Sequence, residues 1–284
     1  DLQHRKISEI ADLVVAKGSI KAVFIAGPSS SGNTTFSKRL SIQLRLLGHD
    51  PVQISVDNYY RPKNEAPKDE EGKPDLEALE ALDLDLFREN LADLYAGKAV
   101  DMPRFDFNGN GRRYFTGQKL TLKEQTVLVI EGIHGLNPSL IPGIEAKTTF
   151  KIYISALTQL NLDDHNRIST TDNRIIRRIV RDNRTRGTSA EGTLLMWPSV
   201  ERGESQHIFP YQNQADVMIN SALEYELAVL KPYAEPLLKT VKPESHDAYP
   251  TARRLLTFLE NVYPIPADMV PSDSLLREFV GGSE

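Results

Sequence analysis

The sequence predicts an α/β protein in which a parallel β-sheet is covered by helices on both faces. Short apolar runs, which are typical of buried strands, alternate with segments of helical periodicity along most of the 284 residues. Three polar features follow such runs: a glycine-rich loop at residues 27–35, Asp57 and Glu131. Because ligands bind at the carboxyl ends of strands in such sheets, the coincidence of all three indicates a binding site there.

The elements are predicted in chain order from these patterns. Residues 3–17 have apolar side chains at helical spacing, and Gly18 follows as a C-cap. Strands are predicted at KAVFIAG, PVQISV, TVLVIEG, TFKIYIS and ADVMINS, a hairpin at PRFDFNGNGRRYF, and helices at TTFSKRLSIQLRLLG, 76–96, about 223–240 and about 250–262. We expect a mobile loop at 61–75, partial helix at 159–186, and a tail, PSDSLLREFVGGSE, that is weakly ordered unless it docks.

Composition narrows the class of protein. Hydrophobic residues make up 40% and charged residues 26% of the chain, which is ordinary for a globular protein with a sizeable core. There is no apolar run long enough to predict a membrane span and no visible signal peptide. The absence of cysteine excludes disulfides and fits a cytoplasmic location, and the net charge of -5 argues against general nucleic-acid binding. We expect an N-terminal helix at 1–19, a main domain at 20–222 and a C-terminal helical extension at 223–284.

The stretch FIAGPSSSGNTTF resembles the phosphate-binding pattern G-x-x-x-x-G-K-[ST], except that Asn33 stands at the lysine position. Between a strand and a helix, its backbone N–H groups can surround phosphate oxygens, and the hydroxyl of Thr34 can coordinate Mg²⁺. The alternative is a serine-glycine loop that caps a helix. The candidate nucleotide-binding residues are Gly27, Pro28, Ser29, Ser30, Ser31, Gly32, Asn33, Thr34 and Thr35.

Two carboxylates are candidates for the chemistry. Asp57 follows a strand, so it could take the proton from a substrate hydroxyl or hold Mg²⁺ through water. Glu131 ends an apolar strand, the position from which proteins with such loops hold metal or water. Read alone, each could also be an ordinary turn or strand-end residue.

Arginines share one helical face at Arg174, Arg177, Arg178 and Arg181. With Arg184 and Arg186, they could close over phosphates and stabilise charge in the transition state. The alternative is a solvated basic face paired with Asp172 and Asp182.

Aromatic residues are concentrated in two other segments. Tyr59 and Tyr60, with Phe105, Asp106 and Phe107, could stack on a base and bind sugar hydroxyls, or the rings could be ordinary core residues.

Together these segments resemble the uridine kinase family of P-loop kinases, which is related to phosphoribulokinase and bacterial pantothenate kinase. The resemblance is carried by IAGPSSSGNTTF, ISVDNYYRP, MPRFDF, VLVIEGIHGLN and RRIVRDNRTRG, and it spans roughly residues 20–220. It implies a P-loop NTPase-type sheet with small hairpin and lid insertions and C-terminal helices. In a similar long bacterial subgroup, a region like the N-terminal part of threonyl-tRNA synthetase commonly lies upstream. We therefore expect this chain to be a C-terminal kinase part.

The resemblance implies transfer of the ATP γ-phosphoryl group to the 5′-hydroxyl of uridine or cytidine. It implies Asp57 as the base and Thr34 and Glu131 as residues that serve Mg²⁺. It also implies that Arg178 and Arg181 contact substrate or phosphates and that Arg186 belongs to the lid. The implied nucleoside pocket is lined by Tyr60, Asp75, Phe105 and Phe107. A homo-oligomer is expected from the family, whereas nucleic-acid and membrane partners are not.

Three departures from the family pattern leave alternatives open. Asn110 and Met196 stand at the approximate positions where family members that bind pyrimidine have a histidine and a glutamine. The acceptor could therefore be another nucleoside or a polyol. Asn33 cannot supply the lysine charge, and loss of one such donor costs ~10²–10³ in rate. It could be an engineered or accidental substitution, which we favour, a mark of a natural pseudokinase, or a change offset by Lys38 or a lid arginine.

The sequence therefore predicts a nucleoside kinase that is impaired at Asn33. The rival interpretations are a kinase of another small hydroxyl compound on the same fold and an inactive, nucleotide-binding regulatory module.

Overall fold

The structure is a computed structural model that describes residues 1–62, 64–69, 72, 74–107, 111–159, 161 and 168–282. The chain divides into two compact units. The first consists of Asp1–Pro28, Asn33–Ile154 and Arg202–Ile219, and the second of Ser29–Gly32, Ser155–Glu201 and Asn220–Glu284. Among the described residues, no helix combines the length and apolar composition that a membrane span requires. The division at residues 19 and 222 stays a prediction.

The strands form two sheets. In chain order the described residues form β1 (Ala22–Ala26), β2 (Asp50–Ser55), β3 (Val100–Asp106), β4 (Arg112–Leu120), β5 (Thr126–Glu131), β6 (Thr149–Ser155) and β7 (Val217–Asn220). Five of them make one sheet in the order β2-β5-β1-β6-β7, with parallel pairing, as the sequence predicts. All five residues of β1 are buried, which explains its purely apolar run.

The predicted hairpin is confirmed as the antiparallel pair β3–β4, which is longer than the sequence pattern suggested. The glycine-rich turn that the sequence predicts falls on residues 108–110, which lie outside the described residues.

The helices in chain order are α1 (Leu2–Ala16), α2 (Asn33–Leu46), α3 (Leu84–Tyr95), α4 (Thr170–Arg186), α5 (Ala190–His207), α6 (Glu226–Lys239), α7 (Tyr249–Glu260) and α8 (Arg277–Val280). The prediction of one helix over 76–96 is wrong at its start. The carboxylate of Asp83 accepts a hydrogen bond from the N–H of Leu86 at 3.2 Å and caps α3 there. Before that cap, Leu79–Ala81 form only a short 3₁₀ turn.

Each unit has its own apolar core. In the first, side chains from β1, β2 and β5 pack with α3. In the second, α4, α6 and α7 bury their apolar faces together with the C-terminal segment, in which Leu276 and Phe279 are almost fully buried. The tail is therefore docked, which is the condition under which order was expected.

Candidate active site

Glu131, Asp57 and the start of the glycine loop lie at the carboxyl edge of the parallel sheet, within the first unit. Glu131, the last residue of β5, is in register with Ile25 of β1 on one side and with Ser55 of β2 on the other. Gly27 follows Ile25 by two residues, and Asp57 follows Ser55 by two residues. The register therefore brings the start of the glycine loop and both carboxylates to one edge, as the strand pattern predicted.

Close packing and positive φ angles shape the loop between β1 and α2. A Cβ atom at Gly27 would lie 1.9 Å from the carbonyl oxygen of Ile154, so no larger residue fits where β1 leads into the loop. Ser30 has a φ of 63°, in the left-handed region that non-glycine residues rarely adopt. Such strained residues persist only where the surrounding structure holds them, and they concentrate at ligand sites.

Asn33, at the lysine position, bridges the two ends of the loop. It is the first residue of α2, and its Nδ2 donates to the carbonyl oxygen of Gly27 at 3.2 Å. Its Oδ1 is buried and has no hydrogen-bond partner among the described residues. Thr34 is exposed in the first turn of α2, Thr35 is buried, and Lys38 is exposed. The asparagine amide is thus engaged with the loop backbone.

The arginines of α4 hold the middle of the loop, and these contacts lie within the second unit. Arg174 Nε donates to the carbonyl oxygen of Ser29 at 2.9 Å, and Arg178 Nη1 donates to Ser29 Oγ at 2.8 Å. Arg177 Nη1 donates to the carbonyl oxygen of Ser30 at 3.2 Å. All three arginines are buried, so the alternative of a solvated basic face is wrong for them.

Asp182 organises the other end of this arginine face. Its carboxylate accepts from Arg178 Nε at 3.2 Å and from Arg181 Nε at 2.8 Å, and Arg186 Nε lies 3.7 Å away. Burial by itself would raise the pKa of Asp182, but the guanidinium groups of Arg181, Arg186 and Arg178 hold that pKa below its ordinary value. The proposed pairing with Asp182 is therefore confirmed.

The proposed pairing of the arginine face with Asp172 is wrong. Asp172 Oδ1 instead accepts from Arg254 Nη2 of α7 at 2.8 Å.

An aromatic cluster forms in the first unit from three of the predicted substrate residues. The ring centroid of Tyr60 lies 5.9 Å from that of Phe105 and 6.5 Å from that of Phe107, and Phe105 and Phe107 are 4.9 Å apart. The backbone N–H of Phe105 donates to Asn58 Oδ1 at 3.2 Å, which ties β3 to the residue after Asp57. The structure therefore brings the rings of Tyr60, Phe105 and Phe107 together, and it holds Phe105 against the residue that follows Asp57.

Tyr59 and Asp75 have other surroundings. Tyr59 is a core residue: its ring packs edge-on against Phe87 at 4.9 Å, and burial raises the pKa of its hydroxyl to about 12. Asp75 lies in a turn, where its Oδ1 accepts from the N–H of Glu77 at 3.0 Å. Met196 is 38% exposed on α5, and Asn110 lies outside the described residues.

His134 is a residue that sequence reasoning missed. It follows Glu131 by three positions, it is only 1% exposed, and neither ring nitrogen has a hydrogen-bond partner among the described residues. Burial lowers the pKa of His134 to about 4. His207, whose ring centroid lies 6.2 Å away, lowers this pKa further, and the nearby backbone of residues 77–78 has a weaker, raising effect. A lone histidine in a loop carries no spacing signal that would have marked it.

The residues present fit the nucleotide and metal that the family implies. The hydroxyl oxygens of Ser30 and Ser31 are buried, and neither has a hydrogen-bond partner among the described residues, as expected where a ligand supplies polar atoms. Thr34 and Glu131 offer hard oxygen donors, which Mg²⁺ prefers, and this ion commonly keeps water and phosphate oxygens as its other ligands.

A parallel sheet with a glycine loop between its first strand and the following helix defines a P-loop protein. A family model described as "Phosphoribulokinase / Uridine kinase family" matches residues 22–228. A uridine kinase of Staphylococcus aureus is 31% identical over 206 residues, which are 72% of this chain and 89% of that protein. The chain belongs to the phosphoribulokinase / uridine kinase family.

Solved structures share the fold. A possible uridine kinase from Bacillus stearothermophilus matches with a TM-score of 0.52 at 16% identity, covering 78% of this chain and 100% of that one. The YGR205w protein matches with a TM-score of 0.50 at 16% identity, covering 72% of this chain and 87% of that one.

Proposed function

We propose that this chain is an ATP-dependent kinase that phosphorylates the 5′-hydroxyl of a nucleoside of the uridine or cytidine type. The observation that carries the proposal is the shared sheet edge, where Glu131 is in register between the strand that leads to Gly27 and the strand that leads to Asp57. The name of the Staphylococcus aureus relative, a uridine kinase, supports a nucleoside as the acceptor.

Asp57 is the proposed general base. It is half-buried at the first turn after β2, next to the edge where the loop begins. In this proposal its carboxylate accepts the proton of the acceptor hydroxyl as the oxygen attacks the γ-phosphorus, and the bond to the β-phosphate oxygen breaks.

Phosphate binding is assigned to the loop and to its neighbours in the sequence. The backbone of residues 27–35 and the start of α2 bind the phosphates. Thr34 and Glu131 would hold Mg²⁺, which when bound supplies positive charge beside the β- and γ-phosphates. Arg178, Arg181 and Arg186 are proposed to stabilise the charge that develops on the transferred group.

The acceptor is assigned to the aromatic cluster. Tyr60, Phe105 and Phe107 offer ring faces on which a base can stack, and stacking of this kind accepts any base. Asp75 is proposed to bind sugar hydroxyls. The side chains in this set therefore support a nucleoside acceptor without choosing between bases.

Asn33 makes the proposed enzyme slow. Its neutral amide donates to the carbonyl oxygen of Gly27, and it offers no charge to the bridging oxygen between the β- and γ-phosphates. We expect Asn33→Lys to raise kcat by ~10²–10³ with ATP, Mg²⁺ and uridine or cytidine. Asn33→Met is the matched control, because methionine approaches lysine in length but has no charge.

A panel of nucleosides and polyols tests the acceptor. Formation of a nucleoside 5′-monophosphate by Asn33→Lys, and its loss on adding Asp57→Asn, is the expected result. Phosphorylation of a polyol alone would keep the kinase and change the acceptor class. ADP binding without transfer to any acceptor by Asn33→Lys would replace the proposal with a nucleotide-binding regulatory module.

A further inference from the structure

Arg177 is a fully buried arginine whose donors are all used within the protein. It is 1% exposed, and burying a charge is costly unless it is paired and hydrogen-bonded. Nε and Nη2 donate to the two carboxylate oxygens of Glu226 at 2.9 and 2.5 Å. Nη2 also donates to the carbonyl oxygen of Ser221 at 3.0 Å, and Nη1 donates to Ser221 Oγ at 3.3 Å and to the carbonyl oxygen of Ser30 at 3.2 Å. Since arginine has five N–H groups, none remains for a ligand.

The partners of Arg177 are held in turn. Glu226, which is 1% exposed, accepts from the N–H of Leu223 at 2.7 Å and from the side chain of Asn173. The ring of Phe279 covers the guanidinium group, with its centroid 4.8 Å from the central carbon. These contacts fix the orientation of the Arg177 guanidinium group, and they therefore fix the position of its hydrogen bond to Ser30.

The bond to Ser30 determines where the next N–H group points. In a planar trans peptide, the C=O of one residue and the N–H of the next point in opposite directions. The carbonyl of Ser30 is turned towards Arg177, so the N–H of Ser31 is turned away from α4. Arg174 binds the carbonyl of Ser29 in the same way, which turns the N–H of Ser30 away as well. Two successive N–H groups directed to one side, with a left-handed residue between them, make an anion-binding concavity.

We propose that Arg177, held by Glu226, is a positioning residue that aims the N–H of Ser31 at a nucleotide phosphate, and that Arg174 does the same for the N–H of Ser30. This inference rests on the proposed function. It distinguishes the arginines of α4 that orient the loop backbone from those that are proposed to stabilise charge on the transferred group. Arg177 orients the loop backbone and does not itself touch the phosphate.

The test uses a variant that leaves no unpaired buried charge. Arg177→Met combined with Glu226→Gln removes both charges, and the glutamine oxygen can still accept from the N–H of Leu223. Affinities for ADP and for adenosine are measured with Mg²⁺. We expect ADP to bind about 10- to 100-fold more weakly, because loss of one hydrogen bond to a charged group costs on this order, while adenosine binding stays constant. Arg177→Lys, which keeps the charge and three N–H donors on a single nitrogen, should recover part of the difference.

Arg254→Met is the matched control. Arg254 of α7 binds Asp172 of α4, so this variant removes an ion pair from the helix that also carries Arg177. Among the described residues, neither Arg254 nor Asp172 is hydrogen-bonded to the loop. We expect its ratio of ADP to adenosine affinity to equal that of the unchanged chain. An unchanged ratio in the folded double variant would overturn the inference.

A second readout needs no nucleotide. Backbone ¹⁵N order parameters of Ser30 and Ser31 should be near 0.85, about the rigid-backbone value, in the unchanged chain and below about 0.6 in the double variant. If the unchanged chain does not bind ADP, the proposed function fails, and the order parameters alone decide the positioning role. Equal order parameters in the two proteins would then reject it.

Discussion

Acidification should destabilise the first unit through His134. Its ordinary pKa of 6.5 is lowered to about 4 in the folded chain, chiefly by burial and secondly by His207. Between these two values the unfolded chain binds a proton on this residue and the folded chain does not. Stability from the neutral ring is therefore fully present above pH 6.5 and is lost as the pH falls towards 4. Since one pKa unit corresponds to about 1.4 kcal/mol, the loss between pH 8 and pH 5 is about 2 kcal/mol.

The measurement is urea unfolding at pH 8 and pH 5, followed by circular dichroism. Dichroism is the appropriate signal because the sole tryptophan, Trp197, lies in the second unit and His134 in the first. His134→Phe keeps a ring of similar size without a titrating group, and His246→Gln replaces an exposed histidine as the control. On acidification, the free energy of unfolding should fall in both proteins. The fall should be about 2 kcal/mol smaller in His134→Phe than in the unchanged chain. Equal losses in the two proteins would refute the assignment.

Two further substitutions test the packing around the site. Gly27→Ala should lower the free energy of unfolding by about 3 kcal/mol or more and abolish ADP binding, because the new Cβ would meet the carbonyl oxygen of Ile154. Gly48→Ala is the control: Gly48 has a φ of 87° but open space around it, so this substitution should cost about 1 kcal/mol. Similar losses in the two variants would argue against the close approach at Gly27. Phe279→Ala should cost about 3–5 kcal/mol by tryptophan fluorescence during unfolding, because the ring is fully buried, and Met269→Ala, at a 73% exposed residue, is the control that should change little.

The sheet could be predicted because its signal is local. A strand buried on both faces must be apolar throughout, as β1 is, and the loop after it has a glycine spacing that is read directly. The start of α3 was missed for a local reason too. The helical pattern extends across residues 76–96, but the side chain of Asp83 offers a cap within it, and the helix begins at the cap.

The arginine face of α4 shows where local signals end. Spacing places Arg174, Arg177 and Arg178 on one face, but it does not say what covers that face. The partner of Arg177 is Glu226, 49 residues further along the chain, and the hydrogen bonds between them depend on how α4 and α6 pack. Burial of this face was therefore decided by tertiary structure, which no periodicity encodes.

Neighbouring aromatic residues show the same limit at the candidate site. The sequence offers Tyr59 and Tyr60 as equal candidates for a base-stacking role. The 3₁₀ turn Val56–Tyr59 directs Tyr59 into the core, where Asn90 Nδ2 donates to its hydroxyl at 3.1 Å, and leaves Tyr60 for the cluster with Phe105. One residue of offset in a short turn decides which ring can meet a ligand.

The contacts of Asn33 show that the conformation of the loop does not depend on a positive charge at this position. Its amide closes the loop on the carbonyl of Gly27, and α4 arginines hold Ser29 and Ser30 independently of it. The loop therefore keeps its form without a cation at position 33, and the effect that we propose for a lysine there is on phosphate binding and transfer rather than on the fold. Lys38, which the sequence offers as a substitute cation, is exposed on α2, whereas Arg178 already binds a loop hydroxyl. If any residue offsets the missing charge, the contacts favour Arg178, because its guanidinium group is already bound to Ser29 in the middle of the loop.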